Sequence, residues 1–147
     1  MEFRLLKEDE VPQLRQCLEE LAEYHNRVAD SFAGVYPVFS FDYQLESMAE
    51  DIGKGTARIE VLVDVGEIVG LCKVSRDRHL GEVDLLYLRP ALRGRGLGRR
   101  LLDSGLAYLR EQGATLVDIR VVAGNRARKF YEDNGFRLRN VILSMKV

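Results

Sequence analysis

Residues 89–100 read Arg-Pro-Ala-Leu-Arg-Gly-Arg-Gly-Leu-Gly-Arg-Arg, with five arginines, three glycines and no acid. At Gly94, Gly96 and Gly98 no side chain screens the backbone, so neighbouring N–H groups can face one point. Leu97, Leu101, Leu102, Leu106 and Leu109 follow at helical spacing, which puts that point at a helix N-terminus, where free amides and the helix dipole favour negative charge. The arginines make the expected guest polyanionic, because a guanidinium fork matches phosphate oxygens. Two familiar phosphate loops do not fit. A P-loop needs Gly, four residues, then Gly-Lys-Ser/Thr. A dinucleotide fingerprint needs a third glycine three residues after the second, and counted from Gly94 and Gly96 that position is Arg99. Just upstream, Glu82 and Asp84 alternate with Val83 and Leu85. In an extended segment that puts both carboxylates on one side, together with Leu86 and Leu88.

These groups need a strand before the glycines and a helix after them. Val83, Leu85, Leu86, Tyr87 and Leu88 form a short apolar run closed by Pro90, and Gly113 stops the helix. Around this unit the pattern predicts a strand at 3–6. A first helix follows, capped by Asp9, with Pro12 in its first turn and fading near His25. A second helix is capped by Asp42, runs to Ile52 and ends at Gly53 and Gly55. Strict alternation from Ala57 to Val65, a turn at Gly66-Glu67 and a return over 68–74 predict a hairpin. Residues 75–80 read as a polar connection, 116–122 as a strand, and 126–134 as a short helix stopped by Gly135. Residues 136–138 and 141–147 read as two closing strands. The order is β-α-α-β-β-β-α-β-α-β-β, a single α/β (α+β) domain over 1–147. The central crossover demands parallel pairing and the hairpins antiparallel pairing, so the sheet is mixed, with helices on both faces.

Composition narrows the classes. The chain has 147 residues, 46% hydrophobic and 31% charged, which fits one globular domain with a proper core. A net charge of −1 implies no bulk attraction to nucleic acid or membrane. Cys17 and Cys72 lack zinc or disulfide spacing, the N-terminus lacks an apolar signal core, and no run approaches membrane-spanning length. The expected compartment is the cytoplasm. His25, His79 and the carboxylates show no metal-ligand spacing, so no metal is expected. Six of the twelve aromatics lie within residues 24–43. This stretch is read either as packing, against the core or a second copy, or as the wall of a substrate pocket.

The Arg-x-x-Gly-x-Gly of Arg93, Gly96 and Gly98, between strand and helix, resembles the acetyl-CoA pyrophosphate loop of the GNAT superfamily of N-acetyltransferases. Asn125, Ala127, the Phe130-Tyr131 pair and Gly135-Phe136 resemble the second signature of that superfamily. The two motifs cover the chain from about Ala57 onward, and the element order is that of the GNAT fold. One departure stands out. The asparagine usually lies seven residues before the tyrosine; here it lies six before, and Gly124 takes the seventh place. Asn125 is therefore read as a cofactor contact or as the cap of the short helix.

The resemblance implies acetyl-CoA as co-substrate, an amine as acceptor, and room for a homodimer through the terminal strands or N-terminal helices. Backbone groups of Leu86, Tyr87 and Leu88 would meet the pantetheine arm and thioester. The amides of Arg93, Gly94, Arg95, Gly96, Leu97, Gly98 and Arg99 would hold the pyrophosphate, and Arg128 or Lys129 would reach the 3′-phosphate. Tyr131 would protonate the leaving thiolate, and Asp84 or Glu82 would take the amine proton. Tyr36, Asp30 and Phe32 are the expected acceptor contacts. The acidic residues around them favour a small polyamine-like or amino-sugar amine over a protein lysine. No cysteine sits in either motif, so direct transfer is expected. The competing reading is a non-catalytic acyl-CoA-binding module, which would not need Tyr131 or a nearby acid.

Overall fold

Alternating apolar side chains from Ala57 to Leu88 give three long antiparallel strands, β2 (Ala57–Asp64), β3 (Glu67–Asp77) and β4 (Leu80–Leu88), in the computed structural model, which describes residues 1–147. β1 (Glu2–Leu5) adds antiparallel to β2, and β5 (Leu116–Ile119) adds parallel to β4, so the sheet order is β1-β2-β3-β4-β5. The parallel pair follows from the crossover through α3 (Leu97–Glu111). α1 (Arg15–Val28) and α2 (Phe41–Gly53) cover one face, where Leu14, Cys17, Leu18, Leu45 and Met48 meet Ile59, Val61 and Leu71. On the other face Leu101, Leu102 and Leu109 of α3 and Tyr131 of α4 (Ala127–Asp133) meet Cys72, Val74 and Val83. Consecutive residues such as Val61 and Leu62 are therefore both fully buried. Each buried leucine contributes about 2 kcal/mol of transfer free energy. Gly105 lets α3 lie close on β3, since a Cβ there would stand 2.9 Å from Val74 Cγ1.

Several boundaries differ from expectation. Residues Glu8–Leu14 form a 3-10 segment containing Pro12, in which Asp9 sits in the first turn and caps nothing, and α1 runs past His25 to Val28. Ser40, not Asp42, caps α2 by accepting from the Tyr43 amide at 3.1 Å; Asp42 pairs with Arg15. The hairpin turn is Val65-Gly66, both with positive φ, the two-residue geometry that matches strand twist. Residues 75–77 extend β3, and only Arg78-His79 connects it to β4.

The two closing strands do not form. After α4 the chain takes no regular structure. Gly135 turns it with φ 97, and Phe136 folds back to place its ring 5.8 Å from that of Tyr131. Arg139 then grips Asp118 by its side chain, Nε to Oδ1 at 3.2 Å, so β5 is met by a side chain and not by a backbone ladder. β5 itself stops at Ile119, three residues short of the expected 122. Leu138, Val141, Ile142, Leu143, Met145 and Val147 stay at least 67% exposed.

Candidate active site

β4 and β5 pair from Leu80↔Leu116 to Val83↔Ile119 and then part. β5 ends, while β4 continues to Leu88 with no strand on that side. The result is a splayed opening flanked by the backbone of Leu86, Tyr87 and Leu88. One group there is already engaged: the Leu88 carbonyl accepts from Arg93 Nε at 2.9 Å.

The glycine loop follows directly. Gly94 and Gly96 have φ of 77 and 78, a left-handed backbone that costs other residues about 1–2 kcal/mol. Alternate left-handed residues turn successive amides toward one concave side. The amides of Gly94, Arg95, Gly96, Leu97, Gly98 and Arg99 find no partner in backbone or side chain, and the first bond of α3 is Arg100 N–H to the Gly96 carbonyl at 3.1 Å. A Cβ at Gly94, Gly96 or Gly98 would meet nothing within 4 Å. Arg99 pairs with Asp103, and the Arg100 guanidinium lies 3.9 Å from the Phe3 ring centroid.

The two carboxylates share one side of β4, as alternation predicts, but it is not the side of Leu86. In the β3–β4 ladder Lys73 opposes Leu85 and Val74 opposes Val83, so Asp84 is the extra residue of a bulge. The bulge shifts the parity of everything beyond it. Val83 and Leu86 both pack toward α3, whereas Leu85 and Tyr87 pack toward α1 and α2. Asp84 thus shares a face with Leu85 and Tyr87, not with Leu86 and Leu88. There it meets Lys73 Nζ at 3.1 Å, and Lys73 also reaches Asp51 of α2 at 3.3 Å. Lys73 is only 7% exposed. The sequence signal for it was a lone lysine inside the apolar run from Ile68 to Val74. Glu82 pairs with Arg120 at 3.0 Å. Burial, and then the neighbouring charge of Asp84, hold its carboxyl above the usual carboxylate range.

Tyr131 belongs to the same core cluster as Val83, with Leu86 packed against it, which brings its helix to the opening. Burial, and then Cys72, push its phenol well above the ordinary range, so it stays protonated. Cys72 itself is raised to about 12 by burial and is inert. Asn125 stands one residue before the N-cap of α4, Arg126, and its Oδ1 accepts from the amide of Ala127, the first residue of the helix, at 2.9 Å. Arg128 and Lys129 lie on the exposed side of α4, paired with Glu132 at 2.6 Å and Asp133 at 3.1 Å.

α1 faces the end of β4 with Cys17, Glu20 and Tyr24, one helical stripe. Tyr87 donates its hydroxyl to Glu20 Oε2 at 2.6 Å, and Arg89 holds Glu20 at 3.3 Å and Glu67 at 3.2 Å. Beyond α1, Asn26 fixes the next loop by donating to the Tyr36 carbonyl at 2.7 Å and accepting from the Gly34 and Tyr36 amides at 2.8 and 3.0 Å. Tyr36 packs edge-on to His25, centroids 5.3 Å apart, and burial keeps that imidazole below its usual range. Asp30 is exposed and Phe32 half-buried. The aromatic stretch thus divides, with Tyr36 packed inward and Phe39 exposed beside Tyr43. Sequence reasoning counts Glu20 only among the acids near the aromatic stretch and misses the role of Tyr24. Their helical spacing with Cys17 is the signal that puts both on one stripe of α1.

No group of three or more His, Cys, Asp or Glu lies close enough to hold a metal ion, and no helix is long and apolar enough to cross a membrane.

Comparison with known proteins adds to this geometry. The model of the acetyltransferase (GNAT) domain family matches residues 20–142. A mycothiol acetyltransferase of Propionibacterium freudenreichii is 35% identical over 94 residues, which cover 60% of this chain and 30% of that protein. Among solved structures, an acetyltransferase of Clostridium acetobutylicum crystallised with acetyl-CoA superposes with a TM-score of 0.79 at 14% identity, over 99% of this chain and 95% of that one. An acetyltransferase of Trypanosoma brucei superposes with a TM-score of 0.72 at 22% identity, over 99% of both chains. The structural likenesses are likenesses of fold.

Proposed function

The chain belongs to the GNAT acetyltransferase domain family, and from that premise we propose that it moves the acetyl group of acetyl-CoA to a primary amine by direct transfer. The observation that carries this reading is the run of unpaired amides from Gly94 to Arg99 at the mouth of α3. Those donors suit a diphosphate, and the open space over the glycines fits its close approach. Arg95, which has no ion-pair partner, adds charge there. The free edge of β4 at Leu86, Tyr87 and Leu88 suits the pantetheine arm, in the manner of an added strand. Arg128 or Lys129 would exchange an acidic neighbour for the 3′-phosphate.

Acetyl-CoA supplies an acyl carbon activated as a thioester; a C–N bond forms as the C–S bond breaks. An amine acceptor is mostly protonated at neutral pH and must lose a proton before it attacks. Glu82 is the better base of the two acids, because Asp84 is committed to Lys73 while Glu82 is held above the usual carboxylate range. Tyr131, kept protonated by burial, gives its proton to the departing thiolate. Asp30, two positions before Phe32 and exposed in the aromatic stretch, favours a small cationic amine as acceptor.

Free-thiol release from acetyl-CoA across a panel of amines tests the reading. Tyr131→Phe should lower kcat on the order of 100-fold, with acetyl-CoA affinity unchanged. A rate equal to wild type would remove Tyr131 from the mechanism. Thermal protection by acetyl-CoA with no thiol release on any amine would favour the non-catalytic acyl-CoA-binding module.

A further inference from the structure

The C-terminal end of α1 is seated on the loop between β5 and α4. The Asp30 amide donates to the Ala123 carbonyl at 3.1 Å. Gly124, with φ of 101, has no room for a side chain: a Cβ there would stand 2.0 Å from the Val28 carbonyl oxygen and 2.8 Å from Asp30 Oδ1. This accounts for glycine in the seventh place before Tyr131, where an asparagine would collide with the end of α1.

Tyr24 lies at this joint and touches both sides of the opening. The Arg93 guanidinium sits 5.2 Å from its ring centroid and 5.9 Å from that of Tyr87, while Arg93 Nε donates to the Leu88 carbonyl. Arg93 is the residue from which the glycine loop departs. On the other side the Tyr24 hydroxyl donates to Asn125 Oδ1 at 3.3 Å, the same atom that accepts from the amide of Ala127, the first residue of α4, at 2.9 Å. α4 carries Tyr131. One side chain on the acceptor-side helix thus bears on both the phosphate loop and the helix of the proton donor.

We propose that Tyr24 is a positioning residue with two separable effects: its ring steadies Arg93 and the glycine loop, and its hydroxyl steadies α4 through Asn125. The inference rests on the acetyl-CoA reading above. A loop held in its binding shape before the ligand arrives loses less freedom on binding. Removing the ring should therefore weaken acetyl-CoA binding, and removing the hydroxyl alone should slow turnover.

Isothermal titration with acetyl-CoA and steady-state kinetics on Tyr24→Phe, Tyr24→Leu, Arg93→Ala and the Tyr24→Leu/Arg93→Ala double variant separate these effects. Tyr24→Phe is expected to keep wild-type acetyl-CoA affinity and lose about fivefold in kcat, the worth of one ordinary hydrogen bond. Tyr24→Leu is expected to weaken acetyl-CoA about fivefold, as for one cation–π contact. In the Arg93→Ala background it should weaken it no further. If Tyr24→Leu does not fold, Arg93→Lys, which loses the Nε donor, should show the same loss of affinity. Additive losses in the double variant, or wild-type kcat in Tyr24→Phe, would overturn the proposal and leave the acetyl-CoA reading standing. Absence of acetyl-CoA binding by the unaltered protein would overturn both.

Discussion

The two ends of β4 handle charge in opposite ways. At its start, Glu82, Asp84, Lys73, Asp51 and Arg120 form a cluster in which each of these side chains has an opposite partner. Just past its end, the glycine loop presents a row of amides and the Arg95 side chain with no partner within the protein. The first arrangement is closed: it needs nothing from outside to be satisfied. The second is open, and unpaired donors at a surface loop cost nothing only because water, or a ligand, can reach them. This contrast separates structural charge from binding charge more sharply than residue type does, since both ends are rich in ionisable groups.

The largest effect should come from breaking the closed end. Lys73→Ala leaves the carboxylates of Asp51 and Asp84 facing one another without their buried cation, and should cost about 3–5 kcal/mol of stability. Chemical denaturation measures it. Adding Asp84→Asn should recover part of the loss, since one of the stranded charges is then gone. If Lys73→Ala melts like wild type, the cluster is not closed and the contrast fails.

A smaller effect concerns the one member of the cluster proposed to work on substrate. Changing Glu82 to Gln should lower kcat/KM on the order of 100-fold at neutral pH, the low end of general-base losses. In the unaltered protein, kcat/KM should rise with pH through a limb lying above the ordinary value of about 4.3, and that limb should vanish in Glu82→Gln. Stability moves in the opposite sense. A carboxyl raised by burial keeps its proton in the native state where the unfolded chain has released it, so its contribution falls as pH rises from the unfolded toward the folded value. An unchanged acidic limb in Glu82→Gln would return Glu82 to the closed, purely structural group.

How much of this was legible in the sequence follows from locality. The glycine loop was readable because its chemistry is backbone chemistry: Gly94, Gly96 and Gly98 are close neighbours, and the helix that orients their amides follows at once. The carboxylates and their shared side are visible, but the residues of β4 that share that side with them are not. The bulge at Asp84 arises in pairing with β3, and nothing in the β4 segment alone announces an extra residue. Lys73 and Asp84, and still more Tyr24 and Asn125, 101 positions apart, meet only once the sheet is assembled. The closing strands failed for a related reason. Alternation at 141–147 is a necessary feature of a strand, but a strand also needs an edge to pair with, and β5 offers only four residues. The start of α2 is hard to assign because Ser40 and Asp42 are both favoured caps at near-equal propensity.

The smallest expected effect probes the open end, and two glycines one residue apart, Gly96 and Gly98, sharpen it. Gly96 has a left-handed φ, so Gly96→Ala forces either strain of about 1 kcal/mol or a shift of the loop. Gly98 lies in the first turn of α3 with an ordinary φ and with nothing within 4 Å of an added Cβ. Alanine there should leave the melting temperature unchanged or raise it, since alanine is the better helix former by about 1 kcal/mol. If the space over the loop belongs to a diphosphate, both variants should still weaken acetyl-CoA by about fivefold in a titration, one through backbone strain and the other through a methyl group in the ligand's way. A stabilised Gly98→Ala that binds acetyl-CoA as tightly as the unaltered protein would mean that the open space is merely surface. The amides would then be held by water alone, and the two ends of β4 would differ in exposure but not in purpose.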